Sequence, residues 1–344
     1  MKTKSKTIKK LAPLGIAISL AIGSVGATAF AAPAANSIPV AYEITSPYAN
    51  VDWATTGQYK AAHHTHTTFS DGSNTRRDML LDKYAKGFDI VAITDHDNTT
   101  GAWNAPVLEY SWDNNWNNIG RQYASDFDVW AFANGIGAGW ASSPGTYAGV
   151  RGQSNGMIAM GYSNEISANG GFRNADGSSV YGGHHINSFF ADVPGNIGTD
   201  GNGRTMQQVI EAVANAGGIT HLNHPGRYTQ AMNNADISRD PVHVDRYASL
   251  FMDYPSLVGL EIINKWDGES VNDRILWDSI LTQTMPQGRF VWGFSNDDSH
   301  SLSGNGHAWN TMLMPALTEG EVRISMETGA FYGVSRVDRH HGIN

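Results

Sequence analysis

Phe88-Asp89-Ile90-Val91-Ala92-Ile93-Thr94 runs straight into Asp95-His96-Asp97, and the rest of the chain repeats that pattern. A nearly continuous apolar run of this length fits a strand covered on both faces, as in parallel sheets flanked by helices. Before it, Gln58 to His64 is an expected strand, and Thr75 to Lys86 an expected helix stopped at Gly87. After it, strands are expected over Met157 to Glu165, His185 to Ala191, Ile219 to Asn223, Leu257 to Asn264 and Arg289 to Ser295. Helices are expected over Thr205 to Ala216 and Val271 to Met285. Such alternation predicts an α/β fold with a parallel sheet, and seven strands over this length predict closure into a barrel.

Ionisable residues gather at the ends of these strands. The first ends in His63-His64-Thr65-His66, followed by Ser70-Asp71-Gly72. Residues two apart in a strand face one side, so His64 and His66 can aim at one ion. Further groups follow at His96, Glu165, His184-His185, His221-Leu222-Asn223-His224-Pro225 and Asp297-Asp298-Ser299-His300. Catalytic groups of a barrel collect where the strands end, so the set points to one metal centre. Imidazoles and carboxylates without a single cysteine suit Mn, Fe or Zn better than Mg or Ca. The candidates outnumber what one tetrahedral ion can use, which implies two or three ions.

The series His64-x-His66, Ser70-Asp71-Gly72, Thr94-Asp95-His96, Glu165, His185, His224-Pro225 and Asp298-x-His300 resembles the polymerase and histidinol phosphatase (PHP) family of metal-dependent phosphoesterases. The resemblance runs from about His63 to Tyr332 and includes a closing element from Thr318 onward. It implies a distorted (β/α)7 TIM-like barrel around two or three divalent ions. By position, it would give one ion to His64, His66, Glu165 and Asp298, and a second to Glu165, His185 and His224. The third would go to Asp71, His96 and His300. The resemblance favours His185 over His184, because Ile186 follows it, and Asp298 over Asp297, because of the Asp-x-His spacing; the residues themselves leave both pairs open. The implied activity is hydrolysis of small organic phosphates, mono- or diesters with nucleotides among them, by a water acidified between metals. Glu165 would bridge two ions, and Arg227 could grip a phosphate oxygen. His63, His221 and His307 are spare histidines for substrate contact or leaving-group protonation. The chain shows no Gly-x-Ser-x-Gly elbow and no Walker loop, so no protein nucleophile or nucleotide cradle is indicated.

The start of the chain bears on its compartment. Lys2, Lys4, Lys6, Lys9 and Lys10 precede an apolar run from Leu11 to about Val25 and the small-x-small site Ala29-Phe30-Ala31. This reads as a signal peptide over 1–31, and predicts a secreted protein, extracellular or in the cell envelope. The run is shorter than the roughly 20 apolar residues of a spanning helix, so no membrane anchor is expected after processing. A lead-in over 32–57, a metal-dependent barrel domain over 58–335 and a tail over 336–344 would follow. The leader holds five of the 23 Lys and Arg and none of the 32 Asp and Glu, so its loss deepens the net charge of −9. Such acidity suits a small phosphorylated substrate and disfavours long nucleic acid. An insertion from about 102 to 155 carries Trp103, Trp112, Trp116, Trp130 and Trp140, and reads either as a small core of its own or as a substrate wall. Two other functions compete: an amidohydrolase-like metal hydrolase, which also opens on His-x-His, and a metal-binding envelope protein without turnover.

Overall fold

Threonine or aspartate caps start four of the longer helices, where polar side chains meet the first free amides. Thr75 accepts from the Asp78 amide at 3.1 Å to open α1 (Arg76–Ala85), and Gly87 ends it at φ 78°. Thr205 and Gln208 cap α2 (Met206–Asn215) reciprocally. Asp240 and Pro241 begin α3 (Pro241–Asp253), a helix not anticipated above although an Asp-Pro start is a readable signal. Two further helices follow, α4 (Asp273–Thr284) and α5 (Glu319–Thr328). The computed structural model describes residues 46–49, 51–99, 108–112, 118–123, 157–193, 195, 203–265 and 270–336. The expected signal peptide, most of the lead-in and the tail beyond Arg336 lie outside these residues. So does the tryptophan-rich insertion, except for the backbone of one hairpin, β3 (Leu108–Trp112) and β4 (Asn118–Tyr123).

The remaining strands form two sheets of five and one small ribbon. The first sheet uses β1 (Gly57–Ala62), β2 (Ile90–Ala92), β5 (Ile158–Met160), β13 (Ala308–Met314) and β14 (Phe331–Ser335), in the order β14-β13-β1-β2-β5. The second uses β6 (Asn164–Ala168), β9 (His184–Phe189), β10 (Ile219–Asn223), β11 (Leu257–Asn264) and β12 (Trp292–Asn296), in the order β12-β11-β10-β9-β6. The ribbon pairs β7 (Phe172–Arg173) with β8 (Ser179–Val180).

Two expectations are corrected. The described residues form mixed sheets and no closed barrel: β1–β2, β2–β5, β10–β11 and β11–β12 are parallel, whereas β6–β9, β9–β10, β1–β13 and β13–β14 are antiparallel. The reason lies in the connections. Only the ribbon, and no crossover helix, separates β6 from β9, so the chain returns antiparallel. The single strand expected over Met157 to Glu165 is two, β5 and β6, in different sheets. Tyr162 turns between them at φ 51°.

Between the sheets lies a shared apolar core. Ala61, Ile90, Met160 and Met312 of the first face Phe189, Ile219, Val258 and Phe294 of the second, and Val322 and Met326 of α5 join them. Outside, Met79 and Leu80 of α1 cover Val91 and Ile93. Val209 and Ile210 of α2, Phe251 of α3 and Ile280 of α4 cover Ile186, Leu222 and Leu260. Burying side chains of this size is worth roughly 1.5–3 kcal/mol each. At one end the sheets are joined by single parallel bridges, Thr65 with Ser299 and His96 with Glu165. Functional side chains converge there. No helix among the described residues is long and apolar enough to cross a membrane.

Candidate metal centre

His64 and His66 leave β1 on the same side, and each ring is anchored through Nδ1. His64 Nδ1 lies 2.7 Å from Glu261 Oε1 and His66 Nδ1 3.2 Å from the Ser70 hydroxyl. Ser70 itself donates to Asp95, which also takes the Thr67 amide at 2.6 Å and the Thr67 hydroxyl at 2.7 Å. Asp95 thus folds the loop after β1 so that His66 faces inward. Gly72 completes the turn because a Cβ there would lie 2.6 Å from the His66 carbonyl carbon. Anchored in this way, both rings turn Nε2 toward the centre, where the two nitrogens lie 3.1 Å apart.

Two carboxylates occupy that centre. Glu165 Oε2 lies 3.1 Å from Nε2 of both histidines, and Asp298 Oδ1 lies 3.3 Å from His64 Nε2 and 3.1 Å from His66 Nε2. On the far side, Glu165 meets His96 Nδ1 at 3.1 Å, His185 Nδ1 at 3.0 Å and His224 Nε2 at 3.5 Å. Asp71 stands 3.2 Å from His300 Nε2 and 3.6 Å from His96 Nε2. His300 Nδ1 is fixed by the Asp298 carbonyl at 2.9 Å. His96 Nδ1, His185 Nδ1, Glu165 Oε2 and Asp298 Oδ1 are buried, yet none is aligned in a hydrogen bond among the described residues. Lone pairs facing one another around a common centre are what divalent ions require, and the donor set of imidazoles and carboxylates fits them. His224 and Asp298 hold φ of 27° and 44°, a strained backbone of the kind that clusters at functional sites.

The electrostatics agree. Burial opposes ionisation of Glu165, but His64, His185 and His96 hold it well below the usual carboxylate range. Burial likewise opposes ionisation of Asp298, and His64 and His66 overcome it. The converse holds at His64: burial lowers its affinity for a proton, and Asp298, Glu165 and Glu261 raise it well above the ordinary value. The centre is built to hold positive charge.

All nine expected ligands, His64, His66, Asp71, His96, Glu165, His185, His224, Asp298 and His300, meet here, in groupings that differ from the implied ones. His66 joins Asp71, His96 and His300; His96 joins Glu165 and His185; and His64 approaches both His66 with Asp298 and His224 with Glu261. Both open pairs separate. His184 turns away, between the Tyr181 carbonyl and the Tyr247 hydroxyl at 2.6 Å each, while His185 lines the pocket. Asp297 is consumed by Lys83 and the amides of Gly306, His307 and Ala308, all at 2.8 Å. Two expected substrate contacts are corrected: His63 and His221 are buried in the core against Phe189 and Phe294, because alternation along a strand sends them opposite to their ligating neighbours. Burial lowers the His63 pKa to about 3 and that of His221 to about 4, which favours the neutral rings in this core. His307 lines a neighbouring cleft instead.

The pocket above the centre measures about 410 Å³, and Arg227, Tyr228 and Lys265 line it beside the candidate ligands. Two residues here were not anticipated. Glu261 is fully buried, and it takes His64, the His224 amide at 3.0 Å, and the Asn264 and Asn296 amides at 2.8 Å each. Its signal was a lone glutamate inside the apolar run Leu257 to Ile263. Lys265 stands at φ 52° just after β11, with Nζ 3.1 Å from Asp298; its signal was its place at a strand end.

No protein-family model matches the sequence, and no match is found among curated proteins. Solved structures share parts of the fold at low identity. A two-domain protein of Bacteroides vulgatus containing a predicted PHP-like metal-dependent phosphoesterase is 14% identical at a TM-score of 0.46, over 83% of this chain and 66% of that one. A protein of Bifidobacterium adolescentis assigned as a metal-dependent phosphoesterase is 17% identical at 0.40, over 81% and 98%. An amidohydrolase of Chromobacterium violaceum is 13% identical at 0.35, over 70% and 87%. These three likenesses all have TM-scores below 0.5.

Proposed function

We propose that this chain is a metal-dependent phosphoesterase acting on small organic phosphates. The observation that carries the reading is the meeting of nine imidazoles and carboxylates under a pocket of about 410 Å³ lined by Arg227 and Lys265. His64, His66, Asp71, His96, Glu165, His185, His224, Asp298 and His300 would hold two or three divalent ions. Such ions supply a water acidified to near neutrality and positive charge against the phosphoryl oxygens. The chain's own residues do the rest. Arg227 and Lys265 offer the pocket's two cationic side chains to phosphate oxygens, the guanidinium in two-pronged fashion and the ammonium as a point charge. Glu261 holds His64 in one tautomer, and Asn223 donates to Glu165 Oε1 at 2.7 Å, fixing the carboxylate between the imidazoles. Release to the cell envelope or beyond, proposed from the basic and apolar leader, would make the natural substrates extracellular organic phosphates.

The test is hydrolysis by the purified protein with added Mn²⁺ or Zn²⁺. Phenyl phosphate, a phosphodiester, an aryl ester and an aryl amide serve as parallel substrates. Turnover confined to phosphate esters and abolished by chelation is expected. Cleavage of the carboxylic ester or amide with phosphate esters untouched would replace this reading with the amidohydrolase-like one.

A further inference from the structure

A second cleft of about 240 Å³ opens beside the metal pocket and shares Lys265, Asp298 and His300 with it. Its outer wall is the loop 299–307, which contributes Ser299, Ser301, Ser303 and His307. Among the described residues, every lining residue is ionisable, a serine or a glycine, and the only rings that face it are the imidazoles of His300 and His307. The serine hydroxyls and imidazole nitrogens of these walls offer donors and acceptors to hydroxyl groups. Ser299 is 2% exposed, and its hydroxyl makes no hydrogen bond among the described residues.

The loop is held in shape before any ligand arrives. Asp297 ties its far end through the amides of residues 306–308. From the side of α1, Lys86 Nζ donates to the Leu302 carbonyl at 2.6 Å, and Asn305 donates to Asp82 at 2.7 Å. Asn74 takes the Leu302 amide at 3.2 Å. A cleft with fixed walls selects among ligands instead of adapting to them.

Resting on the phosphoesterase reading, we propose that this cleft is the subsite for the alcohol half of the ester, and that it takes a polyhydroxylated alcohol such as a sugar. Serine hydroxyls and His307 would bond the alcohol's hydroxyls while its phosphate occupies the neighbouring pocket.

The experiment compares kcat/KM of the metal-loaded protein for glucose 6-phosphate, adenosine 5′-monophosphate and phenyl phosphate, in wild type, Ser301→Ala and Ser303→Trp. Ser303 is exposed, so the tryptophan fills the cleft without entering the core. Wild type should prefer the sugar phosphate, and Ser303→Trp should lower the ratio of sugar to aryl phosphate about tenfold, with Ser301→Ala lowering it less. An unchanged ratio in both variants, or a wild-type preference for the nucleotide or aryl ester, overturns the subsite. If no phosphate ester is turned over at all, the phosphoesterase reading fails separately. Calorimetric titration with glucose 6-phosphate then decides the subsite: binding weakened about tenfold by Ser303→Trp supports it, and equal binding overturns it.

Discussion

Glu261 shows what a single buried side chain can decide. A carboxylate amid valine, leucine and isoleucine is expensive unless its oxygens are satisfied, and here two side-chain amides, one backbone amide and one imidazole satisfy them. Glu261→Gln keeps the shape but presents an NH2 group to donors, so His64 loses its fixed tautomer. Metal affinity should fall roughly 10- to 100-fold although no expected ligand is removed, with circular dichroism unchanged. Unaltered affinity by calorimetry would make Glu261 merely structural. Glu165→Gln is the harsher change, since Glu165 alone approaches His64, His66, His96 and His185 within 3.1 Å. Turnover should be lost and metal content per chain reduced by elemental analysis, with the fold kept; near wild-type kcat would remove Glu165 from the centre. The histidines and Glu165 were legible because spacing ties them to one another along the chain. Glu261 has no partner in sequence, and its role exists only once β11 is placed beside β1 and β12 in space.

Elements carry the site as much as residues do, and the segment from β12 to β13 is the clearest case. Asp298 and His300 stand on it, and its stem is the buried pair of Lys83 and Asp297 at 2.8 Å. Removing one partner of a buried pair strands the other charge, so Lys83→Met should cost roughly 3–5 kcal/mol in urea unfolding. It should also loosen the stem beneath Asp298 and weaken metal binding, whereas Lys83→Met with Asp297→Asn should recover part of the stability. A double variant no better than the single would show that the backbone amides, and not the lysine, need the carboxylate. Several strands and helices were readable from apolar runs and caps: β10 and β11 match their expected limits, and α1 and α2 start at the threonines that cap them, whereas β13 and α3 were not expected. Their pairing was not. Whether β9 returns parallel or antiparallel depends on the glycine-rich connection before it, which carries a short ribbon instead of a helix and has no apolar periodicity to read.

At the scale of the molecule, two sheets close on an apolar core and meet at the end where charge is concentrated, so stability and metal binding should be linked through the same histidines. Without metal, carboxylates raise the proton affinity of His64, His66 and His300 above the ordinary value of 6.5, although burial opposes them. Groups raised in the folded state stabilise it fully below 6.5 and lose that contribution as pH climbs through their folded values. His63, His184 and His221 are shifted the other way, to about 3, 3 and 4, and weaken the fold only as pH drops below 6.5. Between pH 7 and 9, therefore, the metal-free protein should melt at progressively lower temperature. Divalent ions replace those protons and bind the deprotonated ligands best at higher pH, so the loaded protein should show no such decline. At a metal concentration about a thousand times Kd, binding to the folded state alone adds about 4 kcal/mol, or roughly 5–10 °C in Tm for a chain of this size. The gap between loaded and chelated protein should thus widen from pH 7 to pH 9 in scanning calorimetry. Parallel curves with a constant gap would mean that the ions, if bound, do not occupy the place of the histidine protons.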